Sequence, residues 1–459
     1  MDKQTLKKLA AIVGPDHLTT AGEDLLCYSY DGSSLEYLPA AVAFPGSTAE
    51  VSAIMQLASA ERFPVVPRGA GSGMTGGALP VMGGLVMAMS RLNRIIEIDR
   101  DNQIAVVEPG VITARFQEEV EGLGLFYPPD PASRKFCTIG GNVGECAGGP
   151  RAVKYGVTRD YVLGLEGVLA DGRIIHTGVR TAKGVAGYDL TRLLVGSEGT
   201  LAIITKITLR LLARPAASTT FLLLFDTIRS TTEMVGTILA SLTPCTLEYM
   251  DRAALKVVAD NIPFTLPENT EALLLIEVDG SPRVVEIQAE ELNAIVENRE
   301  GLLEIRRARD KAEAEQLWAA RRAISPSTFK LKPHKIGEDV VVPRSRIPEL
   351  VRFTEQLAAE LDLVILTFGH AGDGNIHVNI MLDRNDPREL AAGRTATRRL
   401  FDQVIGMGGT ITGEHGIGIT KSAFLDREID APSLAVMRTI KQGLDPLNIL
   451  NPGKIFRNP

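Results

Sequence analysis

The run Val65-Val-Pro-Arg-Gly-Ala-Gly-Ser-Gly-Met-Thr-Gly-Gly77 constrains the fold more than any other stretch, because a short strand opens directly into five glycines. Glycine has no Cβ and admits positive φ, so successive N–H groups can converge on a diphosphate. Arg68, Ser72 and Thr75 add side-chain donors. Gly71, Gly73 and Gly76 match the dinucleotide fingerprint, but a βαβ unit needs a helix next, and Ala78-Leu-Pro80 and Gly83-Gly84 follow instead. No Gly-Lys-Ser/Thr follows either, so the loop is not a P-loop. An ordinary glycine-rich loop is the competing reading. A second glycine-rich segment, Thr138-Ile-Gly-Gly-Asn-Val-Gly-Glu-Cys-Ala-Gly-Gly149, lies on the same half, and two such loops in one chain point to a large cofactor.

A chain of 459 residues exceeds one core and implies two or three domains. The net charge of −7 and the lack of a basic block argue against a nucleic-acid partner and for a small-molecule ligand. Cys27, Cys137, Cys146 and Cys245 form no C-x-x-C pair, so neither an iron–sulfur cluster nor a disulfide framework is indicated. No apolar run reaches the about 18 residues of a membrane span, and residues 1–13 read as a short amphipathic helix. The expected location is cytoplasmic, with peripheral contact at the inner membrane face left open.

Composition changes near Leu211-Leu-Ala-Arg-Pro215. Upstream, short β-rich runs at 63–66, 85–89, 104–107 and 201–205 alternate with glycine clusters, and 168–175 reads as a hairpin with an Asp-Gly turn. Downstream, strand-like runs at 221–225, 246–249, 272–277 and 303–305 are separated by helical stretches, the pattern of an antiparallel α+β layer. The expected division is 1–215, 216–410 and 411–459, the last segment packing back towards the first.

Three of the six histidines fall in Phe368-Gly-His-Ala-Gly-Asp-Gly-Asn-Ile-His-Val-Asn379 and Thr412-Gly-Glu-His-Gly416. Residues 364–368 and 376–380 read as strands joined by a turn at 371–375, so His370 and His377 face each other across a hairpin. Cross-strand Cβ atoms lie roughly 5 Å apart, close enough for two imidazoles to share an ion. Glu414 supplies a third ligand, and the set suits Zn²⁺, Fe²⁺ or Mn²⁺. Turn hydrogen bonding by the Gly-His and Glu-His pairs is the bland alternative. His415, next to a ligand, is the candidate base, and Asp373 shapes the turn.

The two glycine segments, Lys154-Tyr-Gly156 and Gly196-Ser-Glu-Gly-Thr200 resemble the FAD-binding domain of the vanillyl-alcohol oxidase and p-cresol methylhydroxylase superfamily. With the two histidine motifs added, nearly the whole chain resembles the FAD-linked D-2-hydroxyacid dehydrogenases, the family of the glycolate oxidase flavoprotein, D-lactate dehydrogenase and D-2-hydroxyglutarate dehydrogenase. The resemblance implies an α+β fold. It comprises a two-part FAD-binding domain of the p-cresol methylhydroxylase type, an antiparallel-sheet substrate cap, and a C-terminal segment returning to the FAD domain. It places FAD on Pro67, Arg68, Gly69, Ala70, Gly71, Ser72, Gly73, Met74, Thr75 and Gly76. Further contacts are implied at Thr138, Gly140, Gly141, Asn142, Gly144, Ala147, Gly148, Glu198, Ile203 and Asn451. The chain departs from the family pattern at Ala202, commonly glycine, and Cys146, often asparagine. Its only histidines in this half, His17 and His176, lie outside the cofactor loops, so non-covalent FAD is expected.

Leu317-Trp-Ala-Ala-Arg-Arg-Ala-Ile-Ser325 reads as a helix end with Trp318 and Arg321 on one face. Arg321 and Arg322 alone read as a solvated face. The resemblance instead makes Arg321 the substrate-carboxylate clamp, with Ser325, Lys335, Asn379 and His415 as further substrate contacts; an arginine fork suits a carboxylate. The implied reaction binds the hydroxyl of a 2-hydroxy acid to a metal on His370, His377 and Glu414, passes its proton to His415, and sends the C2 hydrogen to flavin as hydride. D-lactate or glycolate is the expected substrate, with D-2-hydroxyglutarate the alternative. Electrons must leave to an external acceptor: an electron-transfer flavoprotein, an iron–sulfur subunit or a quinone. A homodimer is allowed. An NAD(P)-dependent reductase would rest on the glycine fingerprint alone, a non-catalytic flavoprotein subunit would not need the histidines, and a metal-only hydrolase would not need the glycine loops.

Overall fold

The computed structural model describes residues 1–262, 264–297 and 299–456. The chain divides into two compact units, one of residues 1–148, 157–214 and 414–459, the other of residues 149–156 and 215–413.

In the first unit, Leu18–Thr19, Ala41–Ala43, Leu85–Ala88 and Val65–Arg68 form a four-stranded sheet in that order, antiparallel at its first pair and parallel thereafter. A five-stranded antiparallel sheet follows the order Ile95–Asp99, Ile104–Val107, Ile203–Arg210, Val162–Val168, Ile174–Gly178. Helix Thr48–Glu61 is started by Ser47, whose hydroxyl accepts from the N–H of Glu50. Its Val51, Ile54, Met55 and Ala58 join Leu9 and Val13 of helix Lys3–Val13 in a core with Ala41, Val65, Leu85, Val168 and Ile203. Burial of these side chains supplies roughly 1.5–3 kcal/mol for each large one. No helix separates Val65–Arg68 from Leu85–Ala88, the arrangement that the glycine and proline content between them dictates.

The second unit is a seven-stranded sheet, wholly antiparallel, in the order Leu302–Arg307, Ala217–Phe225, Ala272–Gly280, Thr246–Asp251, Val364–His370, Asn375–Leu382, His334–Val341. Side chains alternate between its faces. Leu222, Leu224, Leu273, Leu275, Met250, Leu366 and Phe368 share one face with helix Lys311–Ser327, through Leu317 and Ile324, and with Ala254 and Leu255 of helix Arg252–Val257. The segment Lys154-Tyr-Gly156, expected among the cofactor-domain motifs, instead joins this unit: Lys154 pairs with Asp279, and the Tyr155 hydroxyl donates to the same carboxylate at 2.7 Å. Among the described residues no helix is long and apolar enough to cross a membrane.

Candidate active site

The glycine loop of the first unit lines a cavity of about 250 Å³. Among the described residues, the backbone N–H groups of Gly71 to Thr75 donate to no backbone or side-chain acceptor. Gly71 to Met74 of this run line the cavity, and unspent donors there mark a cradle for an anion. Gly76 has φ +83°, and a Cβ there would stand 2.4 Å from Ile419 Cγ1, so the loop turns at a position closed to other residues. Arg68 lies beneath the loop, 5 % exposed, with Nη2 donating to the Tyr30 carbonyl at 2.7 Å. The Thr75 hydroxyl donates to the His415 carbonyl at 3.0 Å.

The second glycine segment is not a loop. Thr138 caps a helix, Ile139–Glu145, accepting from Gly141 N–H. The backbone must come close here, since a Cβ on Gly140 would meet that of Pro109 at 2.4 Å. Asn142 donates to the Thr113 hydroxyl at 2.8 Å. Of the residues expected at the cofactor, those from Pro67 to Met74, together with Thr138, Gly140, Gly141, Asn142, Gly144, Ala147, Glu198 and Ile203, line the cavity. Thr75, Gly76, Gly148 and Asn451 do not. Asn451 is buried, and its Nδ2 donates to the carbonyls of Gly77 at 2.9 Å and Glu198 at 2.7 Å. Glu198 accepts from the N–H groups of Ile417 and Gly418, both at 2.7 Å. Glu414 and His415 also line this cavity, as does Glu145, which sequence reasoning passed over. Burial and the neighbouring Glu198 push the Glu145 carboxyl well above the usual range. His17 and His176 do not line the cavity.

In the second unit the candidate substrate residues collect on one sheet face. The register pairs His377 with Phe368, and Asn379 with Leu366, while Asp339 and Lys335 stand opposite His377 and Met381. His370 is therefore diagonal to His377, its own partner being Asn375, and the expected direct opposition is corrected by this register. Diagonal neighbours on one face still meet: the two rings lie 5.2 Å apart at 84°. His370 Nδ1 is 2.6 Å from Glu248 Oε1, and His377 Nδ1 is 3.6 Å from Asp339 Oδ1. Both carboxylates have no exposed side-chain surface.

Helix Lys311–Ser327 covers this face. Arg321, 8 % exposed, points its Nε and Nη2 at Glu248 Oε2, at 2.7 and 2.6 Å, and its guanidinium sits 4.8 Å from the Phe368 ring centre. Arg322, its neighbour, is half-buried and pairs with Glu315 on the outside. Burial would raise the pKa of Glu248, but His370 and Arg321 beside it outweigh that and lower it to about 2. Lys335 donates to the Ser325 hydroxyl at 3.0 Å, and burial holds its pKa below the usual value. Asn379 is 3 % exposed, and its Nδ2 has no partner among the described residues. Asp373 accepts from Asn375 N–H at 3.1 Å, closing the hairpin turn. Glu248 and Asp339 went unnoticed in the sequence, although an acidic residue inside an apolar strand was a signal.

A glycine-walled cavity with unspent donors in one unit suits a phosphate-bearing ligand, and the other unit carries a buried polar sheet face. The chain matches the model of an FAD binding domain over residues 39–178 and that of the C-terminal domain of FAD linked oxidases over residues 214–455. It belongs to the FAD-linked oxidase family and is an FAD-linked oxidoreductase. It is 44 % identical to glycolate oxidase subunit GlcD of Bacillus subtilis, over 99 % of this chain and 97 % of that one. It is 35 % identical to D-lactate dehydrogenase of Anaerostipes hadrus, over 89 % and 88 % of the two chains. A solved structure of p-cresol methylhydroxylase superposes with a TM-score of 0.83 at 17 % identity, covering 99 % of this chain and 96 % of that one, a likeness of fold.

Proposed function

We propose that the protein oxidises a D-2-hydroxy acid, D-lactate or glycolate, to the 2-oxo acid and passes the electrons to an external acceptor. One observation carries this reading: an arginine, a lysine, an unpartnered amide and two imidazoles gather on one sheet face. Those groups complement a carboxylate beside a hydroxyl. The names of the relatives, glycolate oxidase and D-lactate dehydrogenase, support the same substrate class.

Bound, non-covalent FAD would supply the hydride acceptor and a divalent metal the Lewis acid. The unspent N–H groups of residues 71–75 fit the FAD diphosphate. His370, His377 and Glu414 would hold the metal, and two imidazoles 5.2 Å apart fit that task. Arg321 and Lys335 bind the substrate carboxylate, and Ser325 and Asn379 orient it. His415 takes the hydroxyl proton. Asn451 stiffens the cofactor wall through the two carbonyls it holds. The acceptor is an electron-transfer flavoprotein, an iron–sulfur subunit or a quinone.

The test is an anaerobic visible spectrum of the FAD-loaded protein, before and after D-lactate, its enantiomer, glycolate and D-2-hydroxyglutarate. Bleaching of the flavin band by D-lactate or glycolate is expected. Bleaching by D-2-hydroxyglutarate alone would move the assignment to that acid, and a band that no hydroxy acid bleaches would refute the reading.

A further inference from the structure

Among the described residues, Glu248 is the carboxylate that touches both Arg321 and His370, two halves of the proposed substrate machinery. Its Oε2 accepts from Arg321 Nε at 2.7 Å and pairs with Nη2 at 2.6 Å, while Oε1 lies 2.6 Å from His370 Nδ1. Its side chain has no exposed surface. An ionised carboxylate can only accept, so the hydrogen in the contact with His370 belongs to Nδ1, and a neutral ring held this way presents Nε2 as its ligating nitrogen. A carboxylate behind a ligating imidazole fixes both tautomer and ring angle. On the arginine side, Oε2 holds Nε and Nη2 together, and Phe368 closes one face of the guanidinium. Nη1 is the corner of the fork not held by Glu248. The carboxylate itself rides on the buried strand Thr246–Asp251, paired to Ala272–Gly280 on one side and Val364–His370 on the other.

We infer that Glu248 is a positioning residue that sets, through its two oxygens, the tautomer of His370 and the aim of Arg321, and so couples metal binding to substrate-carboxylate binding. The inference rests on the proposed roles of His370 and Arg321. Glutamine at 248 has the same shape but one acceptor. It can serve the arginine or the imidazole Nδ1–H, not both, and its amide N–H₂ favours the His370 tautomer with hydrogen on Nε2, which cannot ligate.

The experiment measures Co²⁺ affinity of the FAD-loaded protein, by visible absorption and chelator competition, and KM and kcat for glycolate and D-lactate. E248Q is expected to weaken Co²⁺ binding about 10–100-fold, the usual cost of removing such a partner, and to raise KM, with flavin content unchanged. E248D, which restores two acceptors on a shorter arm, should fall between wild type and E248Q in both readouts. R321A should raise KM while leaving Co²⁺ affinity in place, and H377A should do the reverse in the metal readout. If both controls behave so and E248Q matches wild type in either readout, the coupling role is overturned. If E248Q fails to fold, E248D decides: wild-type values in both readouts overturn the inference. A wild-type protein that binds no Co²⁺, or an R321A variant with unchanged KM, would instead overturn the proposed site, a result distinct from the failure of Glu248.

Discussion

In the first unit the cavity wall is largely main chain: glycines at positive φ, unspent N–H groups, and carbonyls held by Asn451. In the second unit the polar face is built from long side chains whose charges are paired away from solvent, Arg321 and His370 on Glu248, His377 near Asp339. On the proposed function, the contrast follows from what each has to recognise. A diphosphate takes many weak donors at close range, which only backbone without Cβ atoms can supply. A small carboxylate with one reacting hydroxyl needs a few directed groups, and directing them takes buried supports. Backbone changes in the first unit should therefore move cofactor retention, and side-chain changes in the second should move turnover and charge-linked stability.

The sharpest way to break that contrast is His415, a side chain that lines the main-chain cavity. His415→Ala is expected to lower kcat by about 10²–10⁴-fold, with flavin absorbance and FAD affinity unchanged in equilibrium titration. Loss of FAD instead of turnover would make it a wall residue.

Glu248 gives the next largest effect, in stability. Its pKa falls from 4.5 unfolded to about 2 folded, so its contribution is complete above the unfolded value and disappears as pH falls through the folded one. Each pKa unit is about 1.4 kcal/mol, which puts the loss between roughly pH 5 and pH 2 at about 3 kcal/mol. Urea midpoints across that window should slope less in E248Q.

Gly76→Ala tests the main-chain side. The left-handed φ and the 2.4 Å approach of Ile419 predict strain of about 1–3 kcal/mol. FAD dissociation should speed up while kcat per bound flavin holds, which a stopped-flow chase can read. The smallest change belongs to Arg322→Ala. Its surface pair with Glu315 contributes within about 0.5 kcal/mol, and glycolate KM should not move, although the residue beside it is central.

Spacing alone leaves both Arg321 and Arg322 on a solvated helix end, and only the family resemblance singled out Arg321; the sheet underneath decides which is buried. The strands and the His370–His377 hairpin were legible because apolar runs and an Asp-Gly turn announce them locally. Their diagonal register was not, since it depends on the exact turn length, which pairs His370 with Asn375. Thr138 to Gly149 reads as a loop on glycine content, yet a capping threonine and close packing on Pro109 make seven of its residues helical. The loop at 69–76 was the opposite case, since glycine, proline and the missing helix agreed.

The first unit is closed by residues made after the whole of the second unit's sheet. Val65 donates to the Ile449 carbonyl and Asn451 to that of Val65, so the strand that launches the glycine loop gains its outer neighbour only from residues 449–451. On a ribosome, the second unit's sheet is wholly synthesised before that neighbour exists. A molecule stalled before residue 449 would therefore hold every strand of the second unit's sheet while the strand leading into the glycine loop still lacked that neighbour.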